Sequence, residues 1–193
     1  MDACKCIIIS LLLTIAGSGM VRAAEDDYKV DDEGNIVVSK VVEGINAGKA
    51  DIYAAALKYI KNAYKVTKYQ ITTENEKVGT IIGKGNLLNY YSKTIFPSTY
   101  YISSDIFLRI DAKEGRVRIS VYAQEYGGQR QNANITEELH VRISDAPPVG
   151  DKVIEESSLY VKAFPLLLEQ MEKILAEVEE TLSKMVSVAV EDW

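Results

Sequence analysis

The sequence is short of several residue types that carry chemistry. It holds two cysteines and one histidine among 193 residues. Both cysteines, Cys4 and Cys6, lie at the extreme N-terminus. Beyond them there is no thiol nucleophile, no Cys-x-x-Cys redox pair, no disulfide framework and no cysteine-ligated metal. His140 is the single imidazole, so a histidine-rich metal site is excluded and a Ser-His-Asp triad would have to use it. Four prolines and 12 glycines exclude a collagen-like or Pro-rich chain. No apolar run reaches the roughly 20 residues of a spanning helix. Positive charge is in deficit: 22 Lys and Arg against 28 Asp and Glu, a net charge of −6. That balance argues against general binding to nucleic acid or to an anionic membrane surface.

What is present is an ordinary globular composition, 47% hydrophobic and 26% charged. The first residues stand apart. Lys5 precedes the apolar run Cys6 to Ala16, then come small residues and Val21-Arg22-Ala23. This is the outline of a secretory signal peptide over residues 1–23. The run is too short for a membrane anchor. Cleavage after Ala23 would remove both cysteines and leave a more acidic, thiol-free chain, exported to the periplasm or beyond. Such a domain is large enough to bury a core without disulfide staples.

After the leader the chain reads as one α+β unit. Residues 24–34 form an acidic, flexible lead-in; the EF-hand spacing is missing. Ile36–Val42 is a β-branched strand with apolar groups on both faces, which predicts an interior position. Lys49–Tyr64 is a helix, with Ile52, Ala56, Tyr59, Ile60 and Ala63 in one apolar stripe. Tyr69–Thr73 and Val78–Lys84 read as strands. Gly79 and Gly83 share a face and permit close backbone packing. Gly83-Lys84-Gly85 lacks the spacing of a phosphate loop. Asn89–Thr99 shows no period and reads as a long connection.

The clearest alternation follows. Ile106, Leu108 and Ile110 share one face of their strand, and Val117, Ile119, Val121 and Ala123 share one face of the next, giving a hairpin with one buried and one open face. A turn at Glu114-Gly115 would pair Asp111 with Arg118, Phe107 with Tyr122 and Leu108 with Val121. Tyr126–Asn134 reads as a polar loop. Leu139, Val141 and Ile143 alternate with His140 and Arg142 as a further strand. Asp145 to Gly150 breaks the structure. Phe164, Leu168, Met171, Leu175, Val178, Leu182 and Met185 then mark a long helix. It packs along its own sheet, and a monomer is favoured because only about three heptads are present. The domain is expected over residues 35–187, with a tail over 188–193.

Three segments in order carry a resemblance: Gly48–Ile60 after a strand, Gly79–Gly85, and Phe107–Arg118. Together they resemble an exported family of unknown function common in Bacteroidota, with a TATA-binding-protein-like fold. The resemblance implies a strand, a helix, a run of antiparallel strands and a long C-terminal helix. It carries over no catalytic residue and no cofactor.

The pattern also defines a candidate surface. If the aliphatic positions face the helices, the opposite sheet face carries Phe107, Arg109, Arg118, Tyr122, Gln124, His140 and Arg142. In an acidic protein this is a basic, aromatic-bearing face, and Arg and Tyr are favoured at recognition hot spots. In the namesake of the fold the open sheet face binds, which is an analogy of fold. The expected role is a non-catalytic binding module for an envelope protein, a peptide or a glycan. The alternative is a hydrolase acting on envelope or dietary polymers, with two carboxylates at catalytic separation or His140 beside a serine. No metal or cofactor is expected.

Overall fold

The computed structural model describes residues 28–67 and 70–191. The leader and the first residues of the acidic segment lie outside these. In chain order the elements are β1 (Lys29–Val30), β2 (Ile36–Glu43), α1 (Lys49–Thr67), β3 (Gln70–Asn75), β4 (Thr80–Ile95), β5 (Ser98–Lys113), β6 (Arg116–Ala123), β7 (Glu125–Gln131), β8 (Thr136–Arg142) and α2 (Ser157–Glu191). The eight strands form one antiparallel sheet with path β1-β2-β6-β5-β4-β3, and β7 and β8 extend it. β5 is the organising strand. Along one edge it pairs β4; along the other it pairs β6 through residues 106–113 and β7 through residues 99–103.

The hairpin of β5 and β6 has the expected register, with Asp111 opposite Arg118, Phe107 opposite Tyr122 and Leu108 opposite Val121. Strict alternation explains this: a one-residue slip would turn every aliphatic side chain to solvent. Both helices lie on the aliphatic face. Ile52, Ala56 and Ile60 of α1 and Leu167, Met171, Val178 and Leu182 of α2 are buried against Ile81, Ile106, Leu108, Ile110, Ile119 and Val121. Gly83 makes the close approach possible, because a Cβ there would stand 3.3 Å from Ile60 Cγ2. The side chain of Ala63 lies outside the described residues.

Several expectations need correction. Asn89–Thr99 is not a connection: β4 runs on to Ile95 and β5 begins at Ser98, a tight hairpin around Phe96-Pro97. The missing period has a local cause. The β4–β5 register shifts between Leu87 and Tyr91, and Asn89 takes a φ of 48° there. A bulge of this kind breaks alternation by moving side chains from one face to the other. Tyr126–Asn134 is not a loop either, since β7 pairs both β5 and β8. Its glycines serve the ladder: Gly128 has a φ of +141°, and a Cβ there would fall 1.9 Å from the Tyr101 carbonyl oxygen.

β2 is nearly an edge strand, because β1 covers only Ile36 and Val37. Val41 is accordingly 48% exposed. The lead-in is structured from Lys29 onward: Asp31 accepts hydrogen bonds from the backbone N–H of Glu33 and Asn35, closing the β1–β2 turn. At the other end α2 continues through Glu191, into the expected tail of 188–193. Pro165 lies well inside α2, on its exposed side. Near the end of α2, Val186 is buried, whereas Met185 is only half-buried. Leu139 and Val141 sit on the core side but only half-buried.

Candidate functional site

The face of the sheet away from the helices is organised in rows across the strands. The ladder places Val37, Tyr122, Phe107 and Lys84 in one row. The next holds Ser39, Ser120, Arg109 and Ile82, and the third holds Val41, Arg118, Asp111 and Thr80. Each row is two residues further along the strands, a step of about 6.8 Å.

In the first row the Phe107 and Tyr122 rings stack with centroids 5.3 Å apart and planes 8° from parallel. Lys84 Nζ lies 5.7 Å from the Phe107 centroid. Phe107 stands between these two neighbours, so its π-faces are taken. Burial pushes the Tyr122 hydroxyl above the usual phenol range.

Carboxylates that the alternation argument left out offset much of the basic charge. Lys84 pairs with Asp105 at 2.6 Å, and Asn86 donates to the same carboxylate at 2.6 Å. Burial opposes ionisation of Asp105, but the hydrogen bonds from Lys84 and Asn86 and the Lys84 charge outweigh it and hold its pKa below the carboxylate norm. Arg109 Nε donates to both oxygens of Asp111 at 3.1 and 2.9 Å, and Thr80 donates to Asp111 at 2.6 Å. The hydrogen bond to Asp111 raises the Arg109 pKa further. Asp111 is thereby committed. Arg118, directly opposite it, makes no ion pair among the described residues. Lys113 makes none either, and Arg116 is 3.9 Å from Glu43.

Two shallow depressions flank this arrangement and share Arg109, Asp111 and Arg118. One, of ≈ 460 Å³, is floored by Ser120 and walled by Tyr122, Val37 and the Asp31–Asn35 turn. Burial opposes ionisation of Asp31, but hydrogen bonds from the Asn35 side chain and from the backbone of Asn35 and Glu33 hold its pKa low. The other, of ≈ 390 Å³, lies between Val41, Val78, Lys113, Arg116 and Arg118.

The structure thus brings together four of the seven candidate residues: Phe107, Arg109, Arg118 and Tyr122. Gln124 sits at the junction of β6 and β7, where its carbonyl accepts from Ile143 N–H. His140 and Arg142 lie on β8, opposite Gly127 and Glu125. His140 is flanked by Glu125 at 3.7 Å and Glu138 at 3.6 Å. Sequence reasoning missed Lys84, Asp105, Asp111, Lys113, Arg116 and the exposed valines of the second depression. Asp111 and Lys113 alternate with Arg109 on β5 and were legible; the β4 and β2 partners needed the sheet order.

One antiparallel sheet with both helices on a single face defines a TATA-binding-protein-like α+β fold. The chain is similar to a TBP-like protein from Parabacteroides distasonis, with a TM-score of 0.56 and 17% identity over 80% of this chain and 96% of that one. It is also similar to a DUF4468 family protein from Bacteroides ovatus, with a TM-score of 0.56 and 15% identity over 82% of this chain and 91% of that one. No family model and no curated protein matches the chain. At this identity the likeness establishes the fold. Neither description names an activity or a ligand.

Proposed function

We propose that this protein is an exported, non-catalytic binding module that works as a monomer in the periplasm or outside the cell. Its partner, an envelope protein, peptide or glycan, docks on the open sheet face around Phe107, Arg109, Arg118 and Tyr122. The observation that carries this reading is Arg118, an exposed guanidinium lining the same depression as Tyr122, whose cross-strand carboxylate already accepts from Arg109 and Thr80. Arg and Tyr on such a platform are the side chains that dominate binding energy at interfaces.

The hydrolytic reading draws less support. Asp111 and Asp31, the carboxylates between the two depressions and at the rim of one, already accept hydrogen bonds within the fold. A general acid needs a raised pKa, and the shifts at Asp31 and Asp105 run downward.

The test is affinity capture from an envelope fraction with the purified chain and with the Arg118→Ser/Tyr122→Ser variant. Both residues lie on the helix-free face, so the variant should keep its circular dichroism spectrum and lose the captured component. Equal capture by both proteins would overturn the reading.

A further inference from the structure

The second depression has a charge and a spacing that specify its occupant. Arg109, Lys113, Arg116 and Arg118 line it against two carboxylates, Glu43 and Asp111. Asp111 already accepts hydrogen bonds from Arg109 and Thr80. Glu43 is 71% exposed and reaches Arg116 only at 3.9 Å, a contact of small worth in water. The cavity is therefore electropositive in a protein of net charge −6. Its walls include two exposed apolar side chains: Val41, 48% exposed, and Val78, 63% exposed.

Arg116 and Arg118 project from the same face of β6, two residues apart. Their separation along the strand is about 6.8 Å, the same as alternate residues of any extended chain. A sugar is a poorer fit, because no aromatic side chain among the described residues lines this depression for it to stack on.

We infer that this depression binds an extended peptide segment of a partner protein carrying acidic side chains at alternate positions, all on the face turned toward the sheet, with their methylene stems packing on Val41 and Val78. The inference rests on the open-face reading and names its ligand chemistry. The two acidic side chains meet Arg116 and Arg118 as charge-assisted hydrogen bonds, the stronger class of such bonds. Lys113 adds charge at the rim. Glu43 competes with the ligand for Arg116.

The experiment is fluorescence anisotropy with the whole soluble chain and two labelled, end-blocked peptides, Glu-Val-Glu-Val-Glu and Gln-Val-Gln-Val-Gln, at about 50 mM salt, where screening is modest. The Glu peptide should bind at least about tenfold more tightly than the Gln peptide, and its affinity should fall as salt rises. Arg116→Gln/Arg118→Gln should weaken the Glu peptide by at least about tenfold. Glu43→Gln should tighten it, a gain that a folding defect cannot imitate. Equal binding of the two peptides, no binding of the Glu peptide, or wild-type affinity in the arginine variant would each overturn the inference. A failure here combined with loss of envelope capture in Arg118→Ser/Tyr122→Ser would leave the open face as a binding surface and discard only the acidic-peptide ligand.

Discussion

The two halves of β5 bury themselves by different chemistry. From Ile106 to Ala112 every second side chain is aliphatic and at most 1% exposed, and its neighbours Val117, Ile119 and Val121 are aliphatic too. From Ser98 to Ser104 the buried positions are Ser98, Tyr100, Ile102, Ser103 and Ser104, and those facing the helices lie near Tyr126 and Tyr160. Several polar groups here are met within the sheet: Tyr90 and Ser104 share a hydrogen bond at 3.1 Å, and Arg130 donates to Ser98 at 3.2 Å while lying over Tyr100. The first half gains its stability from transfer of hydrocarbon out of water. The second depends on phenols and hydroxyls finding partners, and each unpaired group there costs free energy. The faces above them differ as well. Arg109, Arg118 and the aromatic pair stand over the aliphatic half, whereas Glu125, Glu138 and His140 stand over the phenolic half.

The contrast can be broken first at Leu108. This side chain is wholly buried in the aliphatic half, so Leu108→Ala should cost about 2–5 kcal/mol in chemical denaturation. A cost below 1 kcal/mol, on the order of a surface change, would show that this half is not the stabilising one.

The phenolic half should reveal itself in alkali. Burial pushes the Tyr126 and Tyr90 hydroxyls well above the usual phenol range. Both are neutral in the fold and ionise readily only when unfolded. Their contribution is complete below the unfolded pKa near 10 and is lost as pH rises above it. Stability should therefore fall above pH 10 by about 1.4 kcal/mol per pH unit for each such phenol. The 295 nm tyrosinate signal should show a late component that coincides with unfolding. Tyr126→Phe gives the smallest effect. The Tyr126 hydroxyl has no hydrogen-bond partner among the described residues, so its removal should change stability at neutral pH by no more than about 1 kcal/mol. It should also reduce the alkaline slope by one phenol.

The same contrast explains what the sequence discloses. The aliphatic half announces itself through alternation, and the Asp111–Arg118, Phe107–Tyr122 and Leu108–Val121 pairs follow from one turn. The phenolic half hides its strands. Serines occupy inward positions 98 and 104, a bulge between Leu87 and Tyr91 shifts the phase of β4, and Gly127-Gly128 imitates a loop. Hydropathy reads serine and glycine as surface, and only the pairing of β7 with both β5 and β8 reveals them as sheet. The candidate site divides in the same way. Phe107, Arg109, Arg118 and Tyr122 were legible because they alternate with the aliphatic core. Lys84 and Asp105, which neutralise each other, meet only through the register of β4 on β5. Alternation alone places His140 and Arg142 with the others, yet β8 pairs with β7 rather than β6.

The central claim is that recognition resides on the open face over the aliphatic half of the sheet. The most direct measurement compares two charge reversals of equal size, Arg118→Glu over that half and Arg142→Glu on β8 over the other. Both residues are exposed, so both variants should keep the wild-type melting temperature within a few degrees, on the order of a surface substitution. The expected result is that envelope capture is lost with Arg118→Glu and retained with Arg142→Glu. Retention by both, or equal loss by both, would contradict the claim.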